Sequence, residues 1–262
     1  MTTPIRLVVA DLAGTTIDFG SCAPAGVFVD LFARHGVAIT AAEARGPMGT
    51  AKRDHIAALA ALPRVAAAWA TAHGRPFTEA DLDELYAEFI PLQLASLPAF
   101  DALIPGTLEA VAALRQAGLA VAVTTGYDAA MTAVVLEGCR RQGFLPDAAV
   151  CATEVAAGRP APWMIFRAME KTRIWPPSAV VAVGDTLADV EAARNAGVWA
   201  VGVTATGNML GLSRAEHDAL EPGRRADLLI AAAERMLAAG AHATISAIGD
   251  LPALLPRLGD VP

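Results

Sequence analysis

The chain has 262 residues, enough for one large domain or for a core with a smaller second domain. Its apolar fraction of 55% supplies a substantial core, and much of it is alanine, which favours helix. A net charge of −7 argues against a general nucleic-acid binder, and neither a signal peptide nor an apolar run of membrane-spanning length is read, so no membrane partner is expected. Cys22, Cys139 and Cys151 form neither a metal spacing nor an even disulfide set, which fits a reducing, cytoplasmic setting.

In chain order, Ile5 to Ala10 reads as a buried strand that ends on Asp11, followed by a tight turn at Ala13 and Gly14. From Gly20 to about Pro98 no buried strand is expected. "AGVFVDLFARHG" spaces its apolar residues at helical intervals, and "TEADLDELYAEFI" does so behind an acidic first turn. Residues 20–98 are therefore read as an inserted helical cap with hinges near Gly20 and Pro98 to Pro105, between core segments 1–19 and 99–262. Leu119 to Thr124 reads as the second strand, and Ala129 to Gln142 as a helix. Val180 to Val183 then reads as a strand, Leu187 to Ala196 as a helix stopped by Gly197, and Trp199 to Val203 as a strand. Ala226 to Ala239 reads as a helix and Ala243 to Ile248 as the last strand. The alternation predicts an α/β fold with a doubly wound, Rossmann-like parallel sheet, whose ligands bind at the carboxyl ends of the strands.

The polar residues fall at those ends. The first strand ends in Asp11. The second runs into "VTTGYD", where Thr124, Thr125 and Gly126 offer hydroxyl and backbone donors to an anion. "AAGRPAPW" puts Arg159 before Pro160, a helix start by its sequence. "VVAVGDTLAD" ends in Asp185, with Asp189 a turn further on. Three carboxylates, a hydroxyl, backbone amides and a cation would share one crevice, and hard oxygen ligands beside a phosphate suit Mg²⁺. An aspartate after a strand is also a common helix cap, and "GDTLAD" alone fits a capping arrangement.

In this order the residues resemble the haloacid dehalogenase superfamily of phosphotransferases, and the inserted helices resemble that superfamily's first type of cap. The cap adds "ARGPMGTAKRDHI", residues 44–56. Of the 20 basic residues only Lys52 and Lys171 are lysines, and a desolvated amine can attack a carbonyl where a guanidinium cannot. "PMG", then "K", then "DH" is similar to the cap motif of the phosphonoacetaldehyde hydrolases. So are "AGTT.D.G", "TTGY", "AGRP.PW", "GDT..D", "RNAG.W.VGV", "GLS" and "GAH.TI", which run almost to the C-terminus.

That resemblance implies hydrolysis of the C–P bond of phosphonoacetaldehyde, a small phosphonate. It makes Asp11 the nucleophile and Lys52 the Schiff-base lysine. It puts Asp11, the carbonyl of Ala13 and Asp185 on Mg²⁺, with Asp189 in support. Arg159, Thr125 and Gly126 would face the phosphoryl group, and Met48, His55, Cys22 and Tyr127 match positions around the imine. It also implies a homodimer formed through the cap. Leu12, Gly46 and Thr50 depart from the pattern: Leu12 replaces an expected Trp, and the other two replace larger residues. Ala13 stands where many aspartate-based phosphatases keep a second carboxylate as general acid. An imine makes such an acid unnecessary, because it draws the C–P electrons away as an enamine. Two alternatives stay open: a related hydrolase acting on another phosphonate or a phosphate ester, and a non-catalytic binding member of the superfamily.

Overall fold

The computed structural model describes residues 4–260; the outermost ends of the expected core segments, residues 1–3 and 261–262, lie outside them. Six parallel strands form one sheet: β1 (Leu7–Asp11), β2 (Ala120–Thr125), β3 (Ala148–Cys151), β4 (Val180–Gly184), β5 (Trp199–Val203) and β6 (Ala243–Ile245). Their order is β3-β2-β1-β4-β5-β6. The chain runs outward from β1 on one side and returns to start the other half at β4. The carboxyl ends of β1 and β4 therefore flank the switch point where such sheets open a crevice.

Five helices lie between β1 and β2: α1 (Cys22–Arg34), α2 (Ala41–Arg45), α3 (Lys52–Ala60), α4 (Pro63–His73) and α5 (Glu79–Ser96). No strand element occurs among them. The remaining helices are α6 (Thr107–Gln116), α7 (Ala129–Arg141), α8 (Trp163–Thr172), α9 (Leu187–Ala196), α10 (Arg214–Asp218), α11 (Pro222–Ala238) and α12 (Leu251–Leu254). No single helix among the described residues is long and apolar enough to cross a membrane.

The alternation of side chains along the strands sorts the core into two layers. Val8, Ala10, Val121, Val123, Val181 and Val183 share one layer with α6, α7 and the five inserted helices. Leu7, Val9, Ala122, Val180, Ala182 and Ala200 face the other, with α8, α9 and Met236 of α11. Both faces are covered, so the strands read as near-continuous apolar runs. The first layer extends unbroken into the insertion through Phe28, Leu31, Phe32, Leu59 and Phe89. Phe28 stacks on Phe89 with ring centroids 4.6 Å apart.

Most expected elements are present, with shifts at their ends. β1 includes Asp11, and β6 stops at Ile245, where Ile248 opens a short 3₁₀ turn. α11 starts at Pro222 rather than Ala226, because proline fits the first helical position. Pro160 does not start a helix: α8 begins at Trp163 behind Pro162. Gly197 ends α9 as its left-handed cap. β3 was not expected, since "AAVC" carries little apolar contrast and pairs with β2 alone. Replacing Phe89 with Ala removes a fully buried ring from the layer joining insertion and sheet. Phe89→Ala should cost about 3–5 kcal/mol of unfolding free energy in chemical denaturation.

Candidate active site

Parallel pairing sets the first residues side by side. Asp11 is level with Thr124, and Ala10 with Val183, so Asp185 emerges just beyond the β4 end beside Asp11. Asp185 is fully buried; its Oδ2 accepts from Asn208 N–H at 2.7 Å and its Oδ1 from Thr15 Oγ1 at 3.3 Å. Asp189 closes a capping box with Thr186: its Oδ2 accepts from Thr186 N at 3.1 Å and Oγ1 at 2.5 Å. Its Oδ1 pairs with Arg159 Nε at 2.9 Å. Arg159 also reaches Asp11 Oδ1 through Nη2 at 2.7 Å, and that nitrogen donates to Thr124 Oγ1 at 2.7 Å. One buried guanidinium thus ties together the ends of β1 and β2 and the first turn of α9. Thr125 Oγ1 accepts from Tyr127 N at 3.2 Å, which holds the turn after β2.

The insertion closes the crevice from above. Lys52 is the first residue of α3 and is only 6% exposed. Its Nζ lies 5.0 Å from the centroid of the Tyr127 ring and 5.8 Å from that of Phe28. Among the described residues it makes no ion pair and no hydrogen bond, unlike Lys171, which pairs with Glu154 at 2.6 Å. The loop before it fits closely over the core. At Gly49 (φ +91°) a Cβ would come within 2.3 Å of Thr186 Oγ1, and at Gly126 within 2.4 Å of Thr50 O. Glycine is the residue that permits such approaches. Arg159 Nη1 donates to Gly49 O at 3.3 Å across the same boundary.

The crevice between core and insertion is lined by Asp11, Ala13, Met48, Lys52, Thr125, Gly126, Tyr127, Arg159 and Asp185, joined by Ser21, Pro24, Gly49 and Thr186. Three expected residues sit off its wall. Asp189 lies behind Arg159. His55 is buried in the insertion, stacked on Phe28 at 3.8 Å with Nε2 donating to Ala44 O at 2.8 Å. Cys22, at the start of α1, lies 3.9 Å from Arg45 Nη2. An apolar groove at the opposite, amino end of the strands, between Ile5, Trp199 and Leu258, offers no polar side chain for chemistry.

Burial sets the electrostatics. Removal from water pushes the Asp11 carboxyl up to about 7, with Arg159 opposing and Asp189 adding to the rise. Burial, then Asp11 and Asp189, push Asp185 well above the carboxylate range. Carboxylate oxygens of Asp11, Asp185 and Asp189 lie within 4.8 Å of one another. Such a cluster fits a hard divalent cation, which would relieve the crowding of negative charge. Asp11 and Asp185 line the crevice and Asp189 does not, so the donors facing a cation there are those of Asp11 and Asp185. Desolvation, partly offset by Asp11, lowers the Lys52 amine to about 8. Burial also raises the Tyr127 phenol and lowers the His55 imidazole, the latter with help from Lys52. A carboxylate held by a guanidinium thus faces an amine that sheds its proton readily, a pairing suited to nucleophilic chemistry on both sides of one small substrate.

The family model of the haloacid dehalogenase-like hydrolases matches residues 5–197. The phosphonoacetaldehyde hydrolase of Paraburkholderia phytofirmans is 43% identical over 247 residues, 94% of this chain and 92% of the relative. That of Bacillus cereus is 39% identical over 254 residues, 97% and 96%. The chain belongs to the phosphonoacetaldehyde hydrolase family. A solved phosphonoacetaldehyde hydrolase-like protein from Oleispira antarctica superposes on it with a TM-score of 0.97 at 36% identity, covering 99% of this chain and 94% of the other. The resemblance carried by "PMG", Lys52 and "DH" is borne out, as is the haloacid dehalogenase fold.

Sequence reasoning passed over some residues of this phosphonoacetaldehyde hydrolase family member that surround the crevice. Asp18 is buried and caps α1, accepting from Cys22 N and Ala23 N at 3.0 Å each; burial pushes its carboxyl up to about 6. Its signals are its place in "AGTT.D.G" and its position four residues ahead of a helical run. Arg45 and Asn208 meet across the insertion boundary, and spacing 163 residues apart gives no sign of it. The burial of Lys52 has a measurable cost. Its folded pKa lies below the unfolded value of 10.5, so the unfolded chain binds the extra proton between about 8 and 10.5. The full penalty applies below pH 8 and disappears as pH rises through 10.5. In metal-free protein, Lys52→Met should therefore be more stable at pH 7 by up to about 3 kcal/mol, a gap that closes above pH 10.5 in denaturant titrations.

Proposed function

We propose that the chain hydrolyses phosphonoacetaldehyde to acetaldehyde and phosphate, with Lys52 as imine-forming amine and Asp11 as nucleophile. The observation that carries this reading is the buried amine of Lys52, without an ion-pair partner among the described residues and lowered to about 8, in the same crevice as Asp11. A lysine kept for its charge would be paired, as Lys171 is.

In the proposed reaction the neutral Lys52 amine attacks the aldehyde carbon and water leaves, giving an imine that is protonated to an iminium. An Asp11 oxygen attacks phosphorus from the side of β1. The C–P electron pair moves onto the two-carbon unit and neutralises the iminium as an enamine. The enamine takes a proton on carbon, and water hydrolyses the resulting imine to acetaldehyde and free amine. A second water hydrolyses the aspartyl phosphate, restoring Asp11. Arg159 offsets charge on the transferring group, while Thr125 and the Gly126 amide orient it. Met48 and Tyr127 enclose the imine and keep bulk water away. His55 and Cys22 act from behind that wall, His55 through the Phe28 ring that flanks Lys52. Mg²⁺, held by Asp11, Asp185 and the Ala13 carbonyl with Asp189 in support, would supply charge neutralisation at the phosphoryl group.

The leaving carbon needs no proton from an acid beside phosphorus, because the iminium accepts its electrons. Ala13 is consistent with that, and its small side chain leaves room for the adduct. Residues 20–98 act in this account as a cap domain that opens for substrate and closes over the core formed by 1–19 and 99–262. The helical run between β1 and β2 and the close glycine contacts support it. A homodimer formed through the cap and a cytoplasmic setting belong to the same reading; the three free cysteines fit a reducing compartment.

Incubation with phosphonoacetaldehyde should release phosphate and acetaldehyde in equal amounts, and chelation of Mg²⁺ should stop it. Lys52→Arg keeps the charge but cannot form an imine, so release should fall to background, at least about 1,000-fold. As a neutral amine is required, kcat/KM should rise with pH through about 8. Turnover of simple phosphate monoesters alone, or an active Lys52→Arg, would favour an ordinary phosphatase.

A further inference from the structure

The segment that follows β5 touches the loop after β1, the start of the insertion, α2 and Asp185 without lining the crevice. Thr206 Oγ1 donates to Gly14 O at 2.8 Å in the loop after β1, and Thr206 O accepts from Gly20 N at 2.7 Å where the insertion begins. Two residues on, Asn208 meets Arg45, the last residue of α2. Arg45 Nη1 donates to Asn208 Oδ1 at 3.2 Å, and Asn208 Nδ2 donates back to Arg45 O at 3.1 Å. The same Nη1 donates to Gly20 O at 2.8 Å and Ser21 O at 3.2 Å. The backbone N–H of Asn208 makes the 2.7 Å bond to Asp185 Oδ2.

We infer that Arg45 and Asn208 form a latch, a pair of positioning residues that couples seating of the insertion to the placement of Asp185. The side-chain amide of Asn208 uses both its acceptor and its donor on Arg45, so only a seated insertion fixes it. Asp185 has two hydrogen bonds from other residues, and the one from Asn208 is 0.6 Å shorter than the 3.3 Å bond from Thr15. Lifting α2 would free the Asn208 side chain, loosen the backbone at 208 and misdirect its N–H. Arg45 leads through the six residues 46–51 into Lys52, so the contact that seats the lysine also aligns the carboxylate. The imine-forming lysine and the cation-binding carboxylate would then be assembled together.

The inference rests on the reading of Asp185 as a Mg²⁺ donor, and its test separates the two. Amide hydrogen exchange of the metal-free protein reads the latch itself; Mg²⁺ titration calorimetry without substrate reads its consequence. Arg45→Ala should speed exchange across 204–213 and weaken Mg²⁺ binding about tenfold, as loss of an outer-shell partner does, although Arg45 does not touch Asp185. Asn208→Ala should match it, and the double variant should bind Mg²⁺ no more weakly than either single one. Unchanged Mg²⁺ affinity in Arg45→Ala, or additive losses in the double variant, would overturn the latch. No Mg²⁺ binding by the wild type, with exchange still faster in Arg45→Ala, would instead overturn the metal reading and limit the latch to seating the insertion. Should an alanine variant fail to fold, Arg45→Lys and Asn208→Asp each remove part of the reciprocal bonding and carry the same expectations at smaller size.

Discussion

A buried amine without a counter-ion is the constraint around which this molecule is arranged. Taking the Lys52 head group out of water is expensive, and the surroundings return little of the cost: two aromatic rings and carboxylates that attract it from beyond salt-bridge distance. The amine adapts by holding its proton less firmly. Everything near it serves that state. The insertion supplies Phe28 and the loop from Met48 to Lys52, the core supplies Tyr127, and glycines at 49 and 126 let the two surfaces meet without a side chain between them.

The opposite wall is built on the reverse principle. Asp11, Asp185 and Asp189 are crowded so that burial and mutual repulsion raise the first two, and Arg159 holds the cluster by two ion pairs. Parallel pairing does the positioning: one register step fixes Asp11 against Thr124, and the β1–β4 switch point brings Asp185 beside them. The sheet provides rigid placement of charge, and the insertion provides exclusion of water. In the proposed reaction each is needed at a different atom of the substrate, the phosphorus by the sheet and the aldehyde carbon by the insertion.

The sheet side of this arrangement was legible in the sequence, because parallel strands are apolar runs and the polar residues that follow them stand out. Nine of the twelve expected site residues line the crevice, from Asp11 to Asp185. Lys52 was legible for a different reason, its rarity among arginines and the motif around it. What escaped was contact between distant segments. β3 is too short and alanine-rich to announce itself, and α8 starts three residues after Pro160. Arg45, Asn208 and Asp18 look like ordinary surface or capping residues until the fold brings their partners to them. His55 and Cys22 carry motif positions yet sit one layer behind the wall, a distinction that spacing along a helix does not reveal.

The central claim is that Lys52 becomes covalently bonded to substrate carbon. Borohydride added during turnover reduces an imine to a stable secondary amine, and peptide mass spectrometry then locates it. The account predicts inactivation that requires both substrate and borohydride, with a single N-ethyl or N-phosphonoethyl lysine in the peptide containing Lys52 and none at Lys171. Continued C–P cleavage in the presence of borohydride, with Lys52 unmodified, would contradict it.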